Sequence, residues 1–202
     1  MNMSRRRKIP RLLEGLIDSC HRCAAVDKPF LLYEAYRRWL PKEMRTLVIG
    51  ESPPPSHKES FFYNLGAFDR LRLSTRFVFG WELDNGGLLE AVKGSGIFFT
   101  ASVKCRPPSR KELPVMRRNC LYVLREELKL LKPKMVVAMG RYALTSIAEI
   151  YGLREGEVGE PRKIRVNGLN LMVTPHFNYV FRFRRDLAPK IRELLGFRMS
   201  PR

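Results

Sequence analysis

The chain has 202 residues, with 38 lysines and arginines against 20 aspartates and glutamates, a formal net charge of +18 and a hydrophobic fraction of 45%. That hydrophobic fraction excludes wholesale disorder, and no apolar run approaches the roughly 20 residues that span a bilayer. The excess positive charge predicts a polyanionic partner, and nucleic acid rather than a membrane surface, because no clearly amphipathic basic helix is present.

The basic segment at the start, residues 1–8, is predicted to be a disordered arm ahead of one monomeric domain over 9–202. No apolar signal core follows the arm, so we expect an intracellular protein of the cytoplasm or nucleoid. Apolar residues at helical spacing predict helices over 9–25, 30–40, 66–72, 86–93, 112–131, 141–151 and 185–195.

Buried strands are predicted where short apolar runs are bounded by turn residues. They cover 45–50, 96–103 and 135–140. Asn167-Gly168 adds a hairpin between 163–166 and 169–174. Strands that alternate with helices indicate an α/β fold, a three-layer α/β/α arrangement around a central, mainly parallel, four-stranded sheet.

Three loops leave predicted strands at the same edge of this sheet, residues 51–60, 104–110 and 175–182. Ligands of open α/β sheets bind at the carboxyl ends of the strands. The middle loop contains a cysteine, two arginines and two prolines, and the prolines make it stiff. We therefore expect the functional site at this edge.

The four cysteines of the chain are Cys20, Cys23, Cys105 and Cys120. Disulfides are rare inside cells, so four spaced cysteines favour a metal site. A Cys-x-x-Cys pair at a helix end brings two thiolates to one face, where the loop and helix cysteines could join them. Four thiolates suit either zinc or a four-iron four-sulfur cluster, and the spacing does not distinguish the two. Unlinked buried cysteines are the alternative.

The order of motifs along residues 12–195 carries a resemblance to a known family. The motifs are Cys20-x-x-Cys23, Gly50-Glu51-x-Pro53, Val103-Lys104-Cys105-Arg106-Pro107-Pro108 with Cys120 after it, and a late His176. This pattern resembles the family 4 uracil-DNA glycosylases, the iron–sulfur members of the uracil-DNA glycosylase superfamily. The resemblance implies a four-iron four-sulfur cluster held by the four cysteines, with zinc as the alternative.

The resemblance also implies a partner and an activity. The partner is damaged DNA, and the activity is that of a DNA repair glycosylase in base excision repair. Such a hydrolase flips a damaged base, deaminated and possibly uracil, and cleaves its N-glycosidic bond. The alternative is an iron–sulfur DNA-binding protein of the same fold with little or no glycosylase activity.

Three motifs depart from the family pattern. Pro54 replaces the glycine that follows Gly-Glu-x-Pro, and Ala101 stands where the family has the asparagine that reads the edge of uracil. The second family motif, His-Pro-Ser, is here His176 followed by Phe177 and Asn178. These departures leave the damaged base open and favour the binding-protein alternative.

Cleavage of an N-glycosidic bond generates an oxocarbenium-like sugar and an anionic base, and each needs a group that stabilises it. His176 is the predicted donor to the leaving base, although a hydrogen-bonded loop histidine is the plain alternative. Glu51 is the predicted holder of water or stabiliser of the cation, against a capping carboxylate. Ser52 is a weaker third catalytic candidate.

Base binding is assigned to Phe62 by stacking, to Asn178 as a replacement edge reader, and to Ala101 through its backbone. Phe181 to Arg184 alternates aromatic and cation, which suits a wedge and clamp on nucleic acid or an element edge with phenylalanine inward. The predicted DNA-binding residues are Lys104, Arg106, Arg110, Arg182 and Arg184.

Overall fold

A mixed five-stranded sheet organises the computed structural model, which describes residues 3–197 except 155, 157 and 167, with side chains from residue 8 onward. The strands are β1 (Thr46–Gly50), β2 (Ile97–Ala101), β3 (Met135–Met139), β4 (Arg162–Val166) and β5 (Leu169–Thr174). Their order is β2-β1-β3-β5-β4, and every pairing is parallel except that between β4 and β5. The predicted α/β class is confirmed.

The strands at the centre are buried on both faces, as their continuous apolar runs predict. Every residue of β1 and β2 is buried, and Val48 of β1 lies between Phe99 of β2 and Val137 of β3. The predicted count of four strands was wrong, because β4, the first strand of the predicted hairpin, joins the sheet as an antiparallel edge strand. Its side chains are exposed and mostly basic, a pattern that discourages further strand pairing.

The helices flank the sheet. They are α1 (Met3–Asp18), α2 (Pro29–Leu32), α3 (Ala35–Trp39), α4 (Arg70–Phe79), α5 (Asn85–Gly94), α6 (Leu113–Leu131), α7 (Arg141–Tyr151), α8 (Phe177–Phe183) and α9 (Ala188–Leu195). Helix α1 packs against α6, and α4 packs against α8 and α9. None of the described helices is both long and apolar enough to cross a membrane.

Several boundaries differ from the predicted ones. Helix α1 begins at Met3, inside the segment predicted to be a disordered arm, and ends at Asp18, so Cys20 and Cys23 lie in the following loop. The predicted helix over 30–40 is two short helices, because Glu34 adopts a left-handed conformation with φ 48°. Residues 1 and 2 of the predicted arm lie outside the described residues.

Two helices lie at positions that differ from the predictions. The first turn of each is capped by a side chain, Asp69 in α4 and His176 in α8. Helix α4 begins later than predicted, where the Asp69 side chain accepts a hydrogen bond from the backbone N–H of Arg72, and ends at Gly80 with φ 70°. Helix α8 occupies most of the predicted loop 175–182, and His176 caps its first turn. A histidine is an unusual N-cap, so no residue in the sequence signals a helix start there.

Candidate functional site at the carboxyl edge of the sheet

The loops that follow the parallel strands meet at one edge of the sheet. Gly50 and Ala101 end β1 and β2 as register partners. Beyond them, the Ser102 N–H donates to the Gly50 carbonyl at 2.9 Å, and the Val103 N–H donates to the Glu51 carbonyl at 3.1 Å. The predicted convergence of strand ends is therefore present.

Glu51 and Arg110 form an ion pair at this edge, and His176 follows β5 at the same edge. We call these three residues the strand-edge site. Arg110 Nη2 donates to Glu51 Oε1 at 2.8 Å. Burial raises the pKa of Glu51, and the positive charge of Arg110 opposes that rise. The same arginine adds to the effect of burial on His176, whose pKa is lowered to about 4. One guanidinium thus acts on both predicted catalytic groups.

The His176 imidazole has a defined tautomer. Its Nδ1 accepts a hydrogen bond from the backbone N–H of Asn178 at 3.2 Å, so the proton of the neutral ring is on Nε2. The ring lies close to Gly140, whose φ is +88°. A Cβ added to Gly140 would lie 3.6 Å from the Cβ of His176. At neutral pH the site therefore holds an uncharged imidazole with one N–H donor.

Ser52, the third predicted catalytic residue, is turned toward its own loop. Its hydroxyl donates to the carbonyl of Pro53 at 2.8 Å. The hydroxyl proton is therefore used within residues 52–53. Ser52 is half-buried and follows Glu51 directly, so it borders the strand-edge site.

The predicted base-binding residues have different surroundings. Phe62 is buried and stacks on Phe99 of β2, with ring centroids 4.3 Å apart. Ala101 presents only a methyl group, and its carbonyl accepts from Lys104 Nζ at 2.8 Å. Asn178 Oδ1 accepts from Ser74 Oγ at 2.8 Å, which ties α8 to α4. Phe62 and Ala101 thus lie along one strand, while Asn178 lies beside His176.

A buried arginine that the sequence analysis missed holds the aromatic segment. Arg72 Nη1 donates to the carbonyls of Phe61, Phe62 and Asn64 at 2.9, 2.8 and 2.7 Å, and Nη2 donates to that of Ala67. Three of these carbonyls lie within residues 61–64 of one loop, so the guanidinium fixes the position of Phe62. No sequence signal separates this arginine from a solvent-facing residue of an amphipathic helix.

Two predicted phosphate ligands are buried and already neutralised, which differs from their predicted role. Lys104 Nζ lies 2.5 Å from Glu127 Oε2, and neither side chain is accessible. Arg106 Nε donates to both carboxylate oxygens of Asp27 at 3.0 Å, and its Nη1 donates to the Pro54 carbonyl at 2.9 Å. Their charges compensate the buried carboxylate of Glu127 and the half-buried carboxylate of Asp27, and neither basic side chain faces the solvent.

The other predicted DNA-binding arginines are nearer the surface. Arg110 is exposed and bound to Glu51. Arg182 is exposed, whereas Arg184 pairs with Asp186 at 2.8 Å. Arg141, an exposed residue two positions after the end of β3, was missed although a basic residue near a strand end is a recognisable signal.

Lys104 belongs to a buried polar network with three residues that the sequence analysis did not assign, Tyr36, Thr100 and Glu127. Tyr36 donates to Glu127 Oε1 at 2.8 Å, and Thr100 donates to Glu127 Oε2 at 3.1 Å. Glu127 lies on the apolar face of α6, three residues after Leu124 and four before Leu131. A carboxylate at such a position was the available signal, since buried carboxylates are almost always paired.

All four cysteines line one cavity of about 390 Å³, which we call the cysteine pocket. Its other walls include Val103, Met116 and Ala25. Burial raises the pKa of Cys105 to about 11 and that of Cys120 to about 12. Without a bound cation, both groups are therefore neutral thiols at physiological pH.

Two hydrogen bonds reach sulfur atoms of the cysteine pocket. The Lys104 backbone N–H donates to Cys120 Sγ, and Asn119 Nδ2 donates to Cys23 Sγ, both at 3.4 Å. In the part of the chain that the structure describes, however, no three histidine, cysteine, aspartate or glutamate side chains are grouped so that they could hold a metal ion. The four thiols surround a space and do not converge on one point.

The segment 102–110 connects the cysteine pocket with the strand-edge site. The Arg106 N–H donates to the Asp27 carbonyl at 2.9 Å, and the Val26 N–H donates to the Arg106 carbonyl at 3.0 Å. On the other side, the Ser56 N–H donates to the Pro107 carbonyl at 2.9 Å. The loop after Cys23 and the loop after β1 are thus fixed to the same stretch of chain.

Comparison with known proteins finds similarity to uracil-DNA glycosylases. The family model for the uracil DNA glycosylase superfamily matches residues 38–195. The chain is 26% identical over 198 residues to a type-4 uracil-DNA glycosylase of Pyrobaculum aerophilum, covering 87% of this chain and 90% of that protein.

Two type-5 uracil-DNA glycosylases match shorter stretches. The protein of Pyrobaculum aerophilum is 35% identical over 75 residues, which are 35% of this chain and 33% of that one. The protein of Thermus thermophilus is 39% identical over 61 residues, covering 30% and 28%. The longer and the more similar matches thus come from proteins of different types.

Proposed function

The chain belongs to the uracil-DNA glycosylase superfamily, and we propose on that premise that it is a DNA repair glycosylase that flips a damaged base and hydrolyses its N-glycosidic bond. The observation that carries this proposal is the strand-edge site. There Glu51, a half-buried carboxylate paired with Arg110, and His176, a neutral imidazole with an N–H donor, follow parallel strands at the carboxyl edge of the sheet. DNA is the partner, and the exposed cations Arg110, Arg141 and Arg182 are proposed phosphate contacts.

The proposed reaction breaks the bond between C1′ and the base nitrogen, and the electron pair leaves with the base. His176 Nε2–H donates to the base as negative charge develops on it, which lowers the barrier without a full proton transfer. Glu51 stabilises the oxocarbenium-like sugar and accepts a proton from the water that attacks C1′. Burial raises the pKa of Glu51, and the positive charge of Arg110 opposes that rise and so favours the carboxylate form.

The base is proposed to lie beside Phe62, at the end of β2. Ala101 offers no side-chain polar group there, so the base edge is read by backbone groups and by the amide nitrogen of Asn178. A pocket without a dedicated edge reader suits a deaminated base, with uracil as one candidate and not the sole one. Arg72 supports this pocket by fixing the Phe62 loop.

We also propose that Cys20, Cys23, Cys105 and Cys120 hold a four-iron four-sulfur cluster. Four thiols that line one cavity support a cluster of several atoms over zinc, because zinc–sulfur bonds of about 2.3 Å require all four sulfurs to converge on a point. The hydrogen bonds to Cys23 and Cys120 are of the kind that tunes such clusters. A bound cluster supplies a structural brace for the loops at the sheet edge.

Strand cleavage after alkali tests the activity, with labelled oligonucleotides that each carry one uracil, hypoxanthine, xanthine or oxidised base. We expect turnover on at least one deaminated base and a loss of about 10²–10³-fold in His176→Ala, the usual cost of a lost transition-state donor. His57→Ala is the matched control, since His57 is an exposed histidine of the loop after β1.

The second candidate function is a DNA-binding protein of the same fold with little or no glycosylase activity. Ala101 favours it, because the residue removes a side-chain contact to the base. The bond from Arg110 to Glu51 favours it too, since it occupies one carboxylate oxygen. A folded protein that binds DNA and turns over none of the four substrates would decide for this candidate.

A further inference from the structure

Helix α8 presents two aromatic rings to solvent directly after His176. Tyr179 is 48% exposed and Phe183 is 62% exposed. They are one helical turn apart, and their ring centroids are 5.5 Å apart at an interplanar angle of 50°. Two neighbouring exposed rings beside a candidate active site indicate a binding surface, unlike scattered single exposed residues.

The opposite side of α8 is firmly packed, so the exposed pair has a fixed position. Phe177 and Val180 are buried, and Phe181 contacts Phe77 of α4 with ring centroids 5.3 Å apart. The alternation of aromatic and basic residues left two alternatives open, a wedge on nucleic acid or phenylalanines packed inward. The two phenylalanines differ in this respect. Phe181 packs inward, and Tyr179, which the sequence analysis missed, takes its place beside Phe183 on the surface.

The charge around the pair favours an anionic ligand. The guanidinium carbon of Arg182 lies 5.0 Å from the centre of the Phe183 ring, and Arg182 is exposed. The nearby acidic side chain of Asp186 is paired with Arg184. With a formal net charge of +18 on the chain, a polyanion with flat apolar groups fits this surface.

We propose that Tyr179 and Phe183 form a stacking platform for unpaired bases next to the flipped nucleotide, and that single-stranded or locally melted DNA is the preferred substrate. This inference rests on the proposed glycosylase function, whose site it deepens. Bases in a duplex are already stacked on each other, so only unpaired bases can lie on two rings in succession. Because His176 caps the same helix, the platform has a fixed distance to the catalytic histidine.

Fluorescence anisotropy with undamaged oligonucleotides tests the platform. The full-length chain is titrated with a labelled single strand and with the duplex of the same sequence. Since each base–aromatic stack contributes about 1–3 kcal/mol, Tyr179→Ala and Phe183→Ala should each weaken single-strand binding about tenfold, and duplex binding by less than threefold. The control is Leu32→Ala, an equally exposed apolar residue on α2.

The conservative variants Tyr179→Phe and Phe183→Tyr keep the rings and should keep wild-type affinity for the single strand. Equal losses on single strand and duplex would overturn the proposal. So would wild-type affinity in the double alanine variant, which would assign the apolar pair to a protein partner. A thermal unfolding curve of each variant confirms that the helix is intact.

Undamaged DNA separates this test from that of the proposed function. If the chain shows no excision activity but Tyr179→Ala still lowers its affinity for single-stranded DNA, the stacking platform is supported and the glycosylase function is refuted. A chain that excises a base from duplex as fast as from a single strand, with unchanged rates in both alanine variants, would retain the glycosylase and refute the platform.

Discussion

The cysteine pocket and the strand-edge site are built in different ways, although one segment, 102–110, holds both. The cysteine pocket consists of four identical side chains from distant parts of the chain, and its chemistry requires only that they surround one space. The strand-edge site consists of three different side chains, and its chemistry depends on their protonation and pairing. Residue identity therefore defines the first region, and environment defines the second.

The largest expected effect breaks the cysteine pocket. Cys105→Ser should remove the iron from the purified protein and lower its free energy of unfolding by about 4 kcal/mol or more, the contribution of a group present at about 1,000 times its dissociation constant. Iron and sulfide analysis together with chemical denaturation measures both. Zinc in place of iron and sulfide would select the alternative metal.

Met116→Leu is the matched control for the cysteine pocket. Met116 lines the same cavity but contributes no thiol, and the substitution nearly conserves volume. Its expected cost is less than about 1.5 kcal/mol, with unchanged iron content. If Cys105→Ser kept the iron content of the parent, Cys105 would not be a ligand.

A smaller effect is expected in the network between the two regions. Lys104→Met leaves Glu127 buried without its cation, so the free energy of unfolding should fall by about 3–5 kcal/mol. The double variant Lys104→Met/Glu127→Gln should recover most of this loss, because Tyr36 can still donate to the amide oxygen and the Thr100 hydroxyl can accept from the amide nitrogen. Urea denaturation of the single and double variants measures the coupling.

The same variant decides whether Lys104 contacts phosphate. The slope of log affinity for single-stranded DNA against log salt should be unchanged in Lys104→Met, whereas Arg182→Gln should reduce it by about 0.7. A reduced slope in Lys104→Met would return the lysine to the DNA surface. A stability loss below about 1 kcal/mol would likewise contradict its burial.

Much of the fold followed from the sequence because its signals are periodic and local. The bounds of α6 and α7 and the pairing of the hairpin agree with the predictions, since apolar periodicity, a proline and an Asn-Gly turn specify them. Helix α8 did not follow, because its cap is the imidazole of His176. The number of strands in the sheet was predicted one too low, because β4, although predicted as half of the hairpin, is an exposed basic segment whose apolar signal does not indicate a place in the sheet.

The candidate site was less predictable than the fold for a related reason. The cysteines were predicted from their type and spacing, and all four line one cavity. Lys104 and Arg106 were predicted to contact phosphate because a basic loop is normally solvated. Only the tertiary structure shows that they are buried and paired with the carboxylates of Glu127 and Asp27. Burial and pairing arise from distant segments, so a local pattern cannot specify them.

The smallest expected effect probes the environment of His176 through the pH dependence of stability. Its pKa is about 4 in the folded chain and ordinarily about 6.5, so the unfolded chain binds the proton first as pH falls. The contribution of the neutral His176 to stability should therefore be fully present above pH 6.5. Between pH 6.5 and 4 the free energy of unfolding should fall by up to about 3 kcal/mol. Denaturation midpoints at pH 7, 5.5 and 4 measure this decline, and His176→Gln should lack the part of it that His176 causes.

Arg110→Gln removes a neighbouring positive charge, so the pKa of His176 should rise and the decline should be smaller than in the parent. Identical pH profiles in all three proteins would show that neither burial nor Arg110 acts on this imidazole.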